Sequence, residues 1–413
     1  MASVTSHVEQ SETTVIDKQP TRRPHIWELD PLRAITALLV VAVHAFAFTT
    51  TLNQTTWGLQ VQNAVVVSIH FTRALFMFVT AFAMVYVYYG KPFSLKRFWK
   101  KRAIGVVLPY CIWSLVYVWI NSPQASLGKF LQVSILETLT GNASYQLYYI
   151  LLTLQFYLIL PLFLLFLKAV QNRPILTLSI SFLLQVLIFY VDFHYIQAGP
   201  FASISWVHQF SNIQSSLVLL YQFYFVLGAF CALYFQPLRA FLLRHGKWIL
   251  CAMLVSVIAL WGHFFLQILV YREKIEYAVS VLQPIMVLYS SVITLCAFWL
   301  ACRWTRRADK QGRPRGYRQW HWLSDASFGV YLIHALILTA VLRWVTPAMP
   351  VGWPVALRVL LTWLLTAGSS ILISIALVHM PIGSRLVGRS RPFPRWLTEQ
   401  NVFMLKALHK RQV

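Results

Sequence analysis

Ten apolar stretches run through this 413-residue chain, and the connections between them alternate in charge. The stretches fall at about 31–51, 64–89, 103–121, 146–167, 175–191, 214–235, 248–270, 279–302, 323–342 and 355–378. Most approach the ~20 residues that a helix needs to cross a ~30 Å hydrocarbon core. A lipid-exposed backbone must satisfy its own hydrogen bonds, so apolar spans of this length are helices. The pattern predicts an all-α integral membrane protein of about ten transmembrane helices. Composition agrees: 58% of residues are hydrophobic and 11% charged, against ~45–50% and ~25% in soluble domains.

Charge orients the bundle. One set of connections is basic: Lys91 to Arg102, Lys168 with Arg173, Arg239 to Lys247, Arg303 to Arg318, and the tail from Arg385. The alternate set holds only Lys129, Arg272, Lys274 and Arg343, and Arg33, Arg73 and Arg358 fall within apolar segments. Cytoplasmic loops carry surplus Lys and Arg, so both termini are expected in the cytosol. The same rule explains the net charge of +23 without a nucleic-acid partner. The expected organisation is a disordered cytosolic tail over 1–25, a membrane domain over 26–380 and a basic cytosolic tail over 381–413. The five cysteines form no CxxC pair, and neither a disulfide framework nor a metal site is expected.

Ionisable groups inside a span are costly and mark functional sites by default. Arg33 and His44 stand eleven residues apart in the first helix. That spacing leaves them about 20° apart in rotation and roughly 16 Å apart along the axis, Arg33 near the cytosolic mouth. The second helix carries His70 and Arg73, and the ninth Tyr331 and His334, each pair three residues apart and so on one face. With Gln155 in the fourth helix, His44, Arg73 and His334 occupy one layer of the outer half. The plain alternatives are a snorkelling Arg33, an Arg73 that ties helices together and a His44 held by structural hydrogen bonds. No Asp or Glu lies mid-span, which leaves histidine as the mid-span group suited to proton transfer near neutral pH.

The sequence from Leu29-Asp30-Pro31-Leu32-Arg33-Ala34 to Val43-His44 resembles the signature of the membrane acyltransferase 3 family, ten-helix bacterial acyltransferases. The block from Phe98-Trp99-Lys100-Lys101-Arg102 to Leu108-Pro109-Tyr110 is similar to that family's basic loop. Tyr148 to Pro161 resembles its fourth helix, and Ser327 through Tyr331 to His334 its ninth. Within the family, Pro109-Tyr110, Trp113-Ser114 and Phe225 to Ala229 look nearest to the poly-N-acetylglucosamine intercellular adhesion branch, described as exporters or O-acyl (succinyl) modifiers. Two family features differ: Gly105 stands three residues after Arg102 where a second arginine is common, and Thr80-Ala81 replaces a Ser-Gly pair.

The resemblance implies a multi-pass protein of the bacterial plasma membrane that moves an acetyl or succinyl group from cytosolic acyl-CoA to a hydroxyl of an extracytoplasmic polysaccharide or glycolipid. Acyl-CoA would be a donor substrate, with no bound cofactor, and the partners would be the bilayer, the glycan or lipid-linked sugar, and a polysaccharide synthase complex. Arg33 and His44 are the catalytic candidates, His44 as general base or transient acyl carrier. Arg97, Lys100, Lys101 and Arg102 would hold the CoA phosphates. Arg73 and Tyr331 are candidates for stabilising the oxyanion, and His334 and Gln155 for binding the sugar hydroxyl. The competing reading is a polysaccharide exporter that transfers no acyl group.

Overall fold

The structure, a computed structural model, describes residues 23–389 apart from 124–125, 198–200, 202, 310–311 and 381. Of the tails expected over 1–25 and 381–413, residues 1–22, 381 and 390–413 lie outside the described residues. The described chain is helical, with no β-strand among the described residues.

Helix α1 (Leu29–Phe48) is the first span. The second joins α2 (Thr56–Ile69) to α3 (Thr72–Tyr88) across a break at His70-Phe71. Helix α4 (Leu95–Arg102) runs through a wide π turn (Ala103–Val107) into α5 (Leu108–Asn121). Helix α6 (Leu127–Thr140) is too short to cross. Then come α7 (Tyr148–Val170), α8 (Pro174–Val191), the short α9 (Ser205–Ile213), α10 (Gln222–Leu233) and α11 (Phe235–Arg244). Helices α12 (Gly246–Phe265), α13 (Ile275–Ala278), α14 (Pro284–Thr305), α15 (Tyr317–Ala340), α16 (Val355–His379) and α17 (Gly383–Leu386) complete the described chain. Among the described residues, nine helical runs are long and apolar enough to cross a membrane. A tenth is counted if the pair Val218–Leu233 and Phe235–Arg244, bent by 95°, is one span.

Local chemistry sets the boundaries. Thr55 and Ser94 accept from the backbone N–H groups of Gly58 and Arg97, at 3.1 and 3.4 Å, and so cap α2 and α4. Proline opens α8 and α14, where its missing N–H costs nothing. The second span differs from the expected 64–89 in starting earlier, at Thr56, and His70 falls in its break rather than within a continuous helix. The 95° turn after α10 also has a tertiary cause. Arg239 on α11 donates to Glu28 at 3.2 Å, and the Thr305 hydroxyl donates to the same carboxylate oxygen at 2.6 Å. This buried ion pair draws α11 across the ends of α1 and α14.

Close pairings are α3 with α10, α1 with α15, α15 with α16, and α12 with α14. The α3–α10 contact depends on Gly228, where an added Cβ would stand 2.3 Å from the Phe78 carbonyl oxygen. Small residues let backbones approach this closely. Gly228→Val is therefore expected to destabilise the fold by about 1–3 kcal/mol, the usual range for overpacking. Thermal unfolding of the detergent-solubilised protein reads the effect; an unchanged midpoint would show that α3 and α10 can separate freely.

Candidate functional site

Two cavities lie in line along the bundle. The larger opens at the end that carries the basic connections. Arg33, Lys101, Arg102 and Arg389 stand in its wall, with apolar side chains, three hydroxyl residues and three tyrosines making up the rest, so the cavity has a cationic mouth. Arg102 lies over the Tyr157 ring, 4.8 Å from its centre. Arg389 also pairs with Asp325. It is brought there by Gly388, whose φ of +65° is left-handed and whose Cβ position would overlap the Gly105 carbonyl at 2.0 Å. The glycine three residues after Arg102 is thus where the chain after α17 docks on the π turn. Arg97 and Lys100, also expected at the phosphates, lie on exposed parts of α4 and do not line this cavity.

The second cavity is much smaller and lies deeper. His44, His70, Arg73, Gln146 and Tyr148 line it. Three residues line both cavities: Phe76, Tyr149 and Tyr331. Their ring centres form a triangle, with Phe76–Tyr149 at 5.1 Å, Tyr149–Tyr331 at 5.9 Å and Phe76–Tyr331 at 6.1 Å. These are contact distances for aromatic rings. The three rings make a neck that divides the cationic cavity from the histidine chamber.

Inside the chamber, polar groups stand without protein partners. The His44 ring lies 4.4 Å from that of Tyr145 and 5.5 Å from that of His334, with which it stacks. His334 is fully buried. Its Nδ1 faces the carbonyls of Tyr331 at 2.7 Å and Val330 at 3.3 Å. Both neighbours are acceptors, so Nδ1 carries the hydrogen and the neutral ring keeps its lone pair on Nε2. That Nε2, His70 Nδ1 and Gln146 Nε2 are buried and have no hydrogen-bond partner. The Arg73 guanidinium packs 5.0 Å from the centre of the Tyr148 ring. Among the described residues no carboxylate pairs with it. Buried polar groups are normally satisfied, and a buried cation normally has a counter-charge. Two such atoms, His70 Nδ1 and Gln146 Nε2, belong to residues that line the chamber beside Arg73, which suits it to receive a polar, partly anionic group.

The structure brings His44, Arg73 and Tyr331 to the chamber wall, with His334 behind His44, and Arg33 to the cationic cavity. The Tyr331 hydroxyl donates to the Gln146 carbonyl oxygen, so its ring rather than its hydroxyl faces the neck. Gln155 is elsewhere. Its amide donates to the Ser216 carbonyl at 2.7 Å and accepts from the Val218 N–H at 3.0 Å, which fixes the chain entering α10. Asp30 caps no orphan amide through its side chain. Its Oδ2 accepts from His25 and His321, each at 2.9 Å. Among the described residues this is the trio whose ligating atoms lie within 4.8 Å, as a metal ion would need; two imidazoles donating to one carboxylate account for its geometry.

Sequence reasoning did not single out Phe76, Tyr145, Gln146, Tyr149 or Arg389. The run Tyr145-Gln-Leu-Tyr-Tyr149 held the signal, three tyrosines at the entry of a span. Tyr145 lies just before α7, and burial of its ring pushes the phenol pKa up, so it stays a hydrogen-bond donor at neutral pH.

This arrangement sits within a known sequence family. Residues 26–379 match the acyltransferase-domain family, and the chain belongs to it. No curated protein and no solved structure matches the chain. The protein is thus a membrane acyltransferase.

Gln155 gives a control for reading the site. Gln155→Leu would orphan one buried acceptor and one donor, each costing about 1–3 kcal/mol. The variant is expected to unfold at a lower temperature, while the protein that remains folded keeps its activity. Lost activity with unchanged stability would return Gln155 to the reaction.

Proposed function

We propose that this protein moves a short acyl group, acetyl or succinyl, from acyl-CoA to a hydroxyl presented at the opposite face of the membrane, on a polysaccharide or glycolipid. The observation that carries the reading is the three-ring neck, with cations on one side and unpartnered histidine chemistry on the other. Arg33, Lys101, Arg102 and Arg389 suit the phosphates of CoA, since charge-assisted hydrogen bonds to phosphate are strong. The end with the basic connections is then the cytosolic one, as the positive-inside rule requires. For the pantetheine arm to reach His44, the rings of Phe76, Tyr149 and Tyr331, which touch in this structure, must part, and the small chamber beyond limits the acyl group. The likeness of Pro109-Tyr110, Trp113-Ser114 and Phe225 to Ala229 to poly-N-acetylglucosamine adhesion proteins supports a glycan acceptor and, with it, a place in a bacterial plasma membrane.

The chemistry follows from the chamber. His44 takes the proton from the acceptor hydroxyl as that oxygen attacks the thioester carbonyl. The oxyanion of the tetrahedral adduct develops beside Arg73, a cation with no carboxylate to neutralise it. Collapse breaks the C–S bond, and the imidazolium returns its proton to the leaving thiolate. His334 Nε2, an acceptor by its tautomer, orients the incoming hydroxyl. An exporter would have to part the same three rings by the width of a sugar chain, a larger opening than a pantetheine arm needs.

The test is thioester consumption in proteoliposomes supplied with radiolabelled acyl-CoAs and candidate glycans. His44→Ala is expected to lower turnover by about 10²–10⁴-fold, the usual contribution of a positioned base. Turnover equal to wild type would move the base elsewhere, and no consumption of any donor by the wild type would favour the exporter.

A further inference from the structure

On the far side of His44 from the neck lies a third cavity, an open cleft of about 820 Å³. It is walled by the end of α5, by α6, by the turn before α7 and by the later part of α15. Its polar surface comes from Asn121, Glu137, Asn142, Tyr145 and Thr339. Tyr145 links it to the reaction: this side chain lines the cleft and also packs 4.4 Å from the His44 ring. Carboxylate, carboxamide and hydroxyl groups beside an aromatic face suit a compound rich in hydroxyls.

Helix α6 says from where that compound arrives. It has 14 residues, about 21 Å of helix, which cannot cross the bilayer. Its ends are fixed, by Ser126 accepting from the Lys129 N–H at 3.3 Å and by left-handed Gly141. Yet it exposes Leu127, Leu131, Ile135, Leu136 and Leu139, each 47–73% accessible. Phe130 and Val133 pack inward, and Glu137 turns to the cleft. Trp119, 70% accessible, stands two residues before the cleft residue Asn121. A short helix with an apolar stripe, next to an exposed tryptophan, suits a place in the plane of a membrane interface. With α6 so placed, the cleft opens at the level of the lipid headgroups rather than into bulk water.

We infer that the acceptor is a lipid-anchored polyol, such as a glycolipid, which enters sideways from the leaflet in which α6 lies. Its hydrocarbon stays among the lipids beside the leucine stripe, and its headgroup fills the cleft between Glu137 and Tyr145, where one hydroxyl meets His44. This rests on the acyltransferase reading above and narrows its acceptor from glycans in general to membrane-bound ones.

The experiment reconstitutes the full chain in the total lipid extract of its source cells, adds radiolabelled acyl-CoAs together with the water-soluble glycans of the same cells, and separates organic-phase lipid from water-soluble glycan. Label is expected in the lipid phase. Glu137→Gln and the pair Leu131→Gln/Leu139→Gln should each raise the KM for lipid acceptor about tenfold and leave the KM for acyl-CoA unchanged, with Glu137→Asp restoring much of the loss. Unfolding midpoints equal to wild type show that the variants fold. Acyl-CoA consumed with label only in soluble glycan overturns the inference and leaves the acyltransferase reading standing. So does lipid labelling indifferent to all three substitutions, or cross-linking of two copies through α6. If no acyl-CoA is consumed at all, both fall.

Discussion

Hydrocarbon offers no hydrogen bonds, so each polar group held within an apolar bundle must find a partner in the protein or be kept for a substrate. That constraint organises this molecule. At the start of α1 the demand is met: Glu28 is held by Arg239 and Thr305, and Asp30 by two histidines. These contacts fix the first span against α11, α14 and α15. Around His44 the demand is left unmet at three buried atoms, beside an Arg73 that no carboxylate among the described residues neutralises.

The aromatic neck separates two electrostatic tasks that would interfere in one cavity. Phosphates need several cations near water, whereas a histidine base works best where no surplus positive charge stabilises its neutral form. Phe76, Tyr149 and Tyr331 divide the two spaces, and Arg73 is the cation kept on the chemical side. The neck also closes a bundle that would otherwise hold adjoining cavities through much of its depth.

Much of this was legible in the sequence. Apolar runs gave the spans, because length and hydropathy are local properties. The common face of Arg33 and His44 followed from helical periodicity, and both line the aligned cavities. What was not legible depends on the rotation of helices against each other. Depth placed Gln155 in the polar layer, but its side chain holds the chain before α10, since depth says nothing about facing. Phe76 and Tyr149 were hidden among 28 Phe and 19 Tyr, and only the meeting of α3, α7 and α15 makes them a neck. The 95° turn after α10 comes from Arg239 reaching Glu28, a contact between residues 211 positions apart.

The central claim is that a thioester reaches the His44 chamber from the basic end, through the neck. A membrane-impermeant acyl-CoA with a photoreactive group in its acyl part tests this, offered to one face of oriented vesicles at a time. The account predicts cross-links at His44, Tyr148 or Tyr149 when the probe meets the face with the basic connections, and none from the other face. Labelling from the opposite face, or confined to residues outside the chamber, would contradict it.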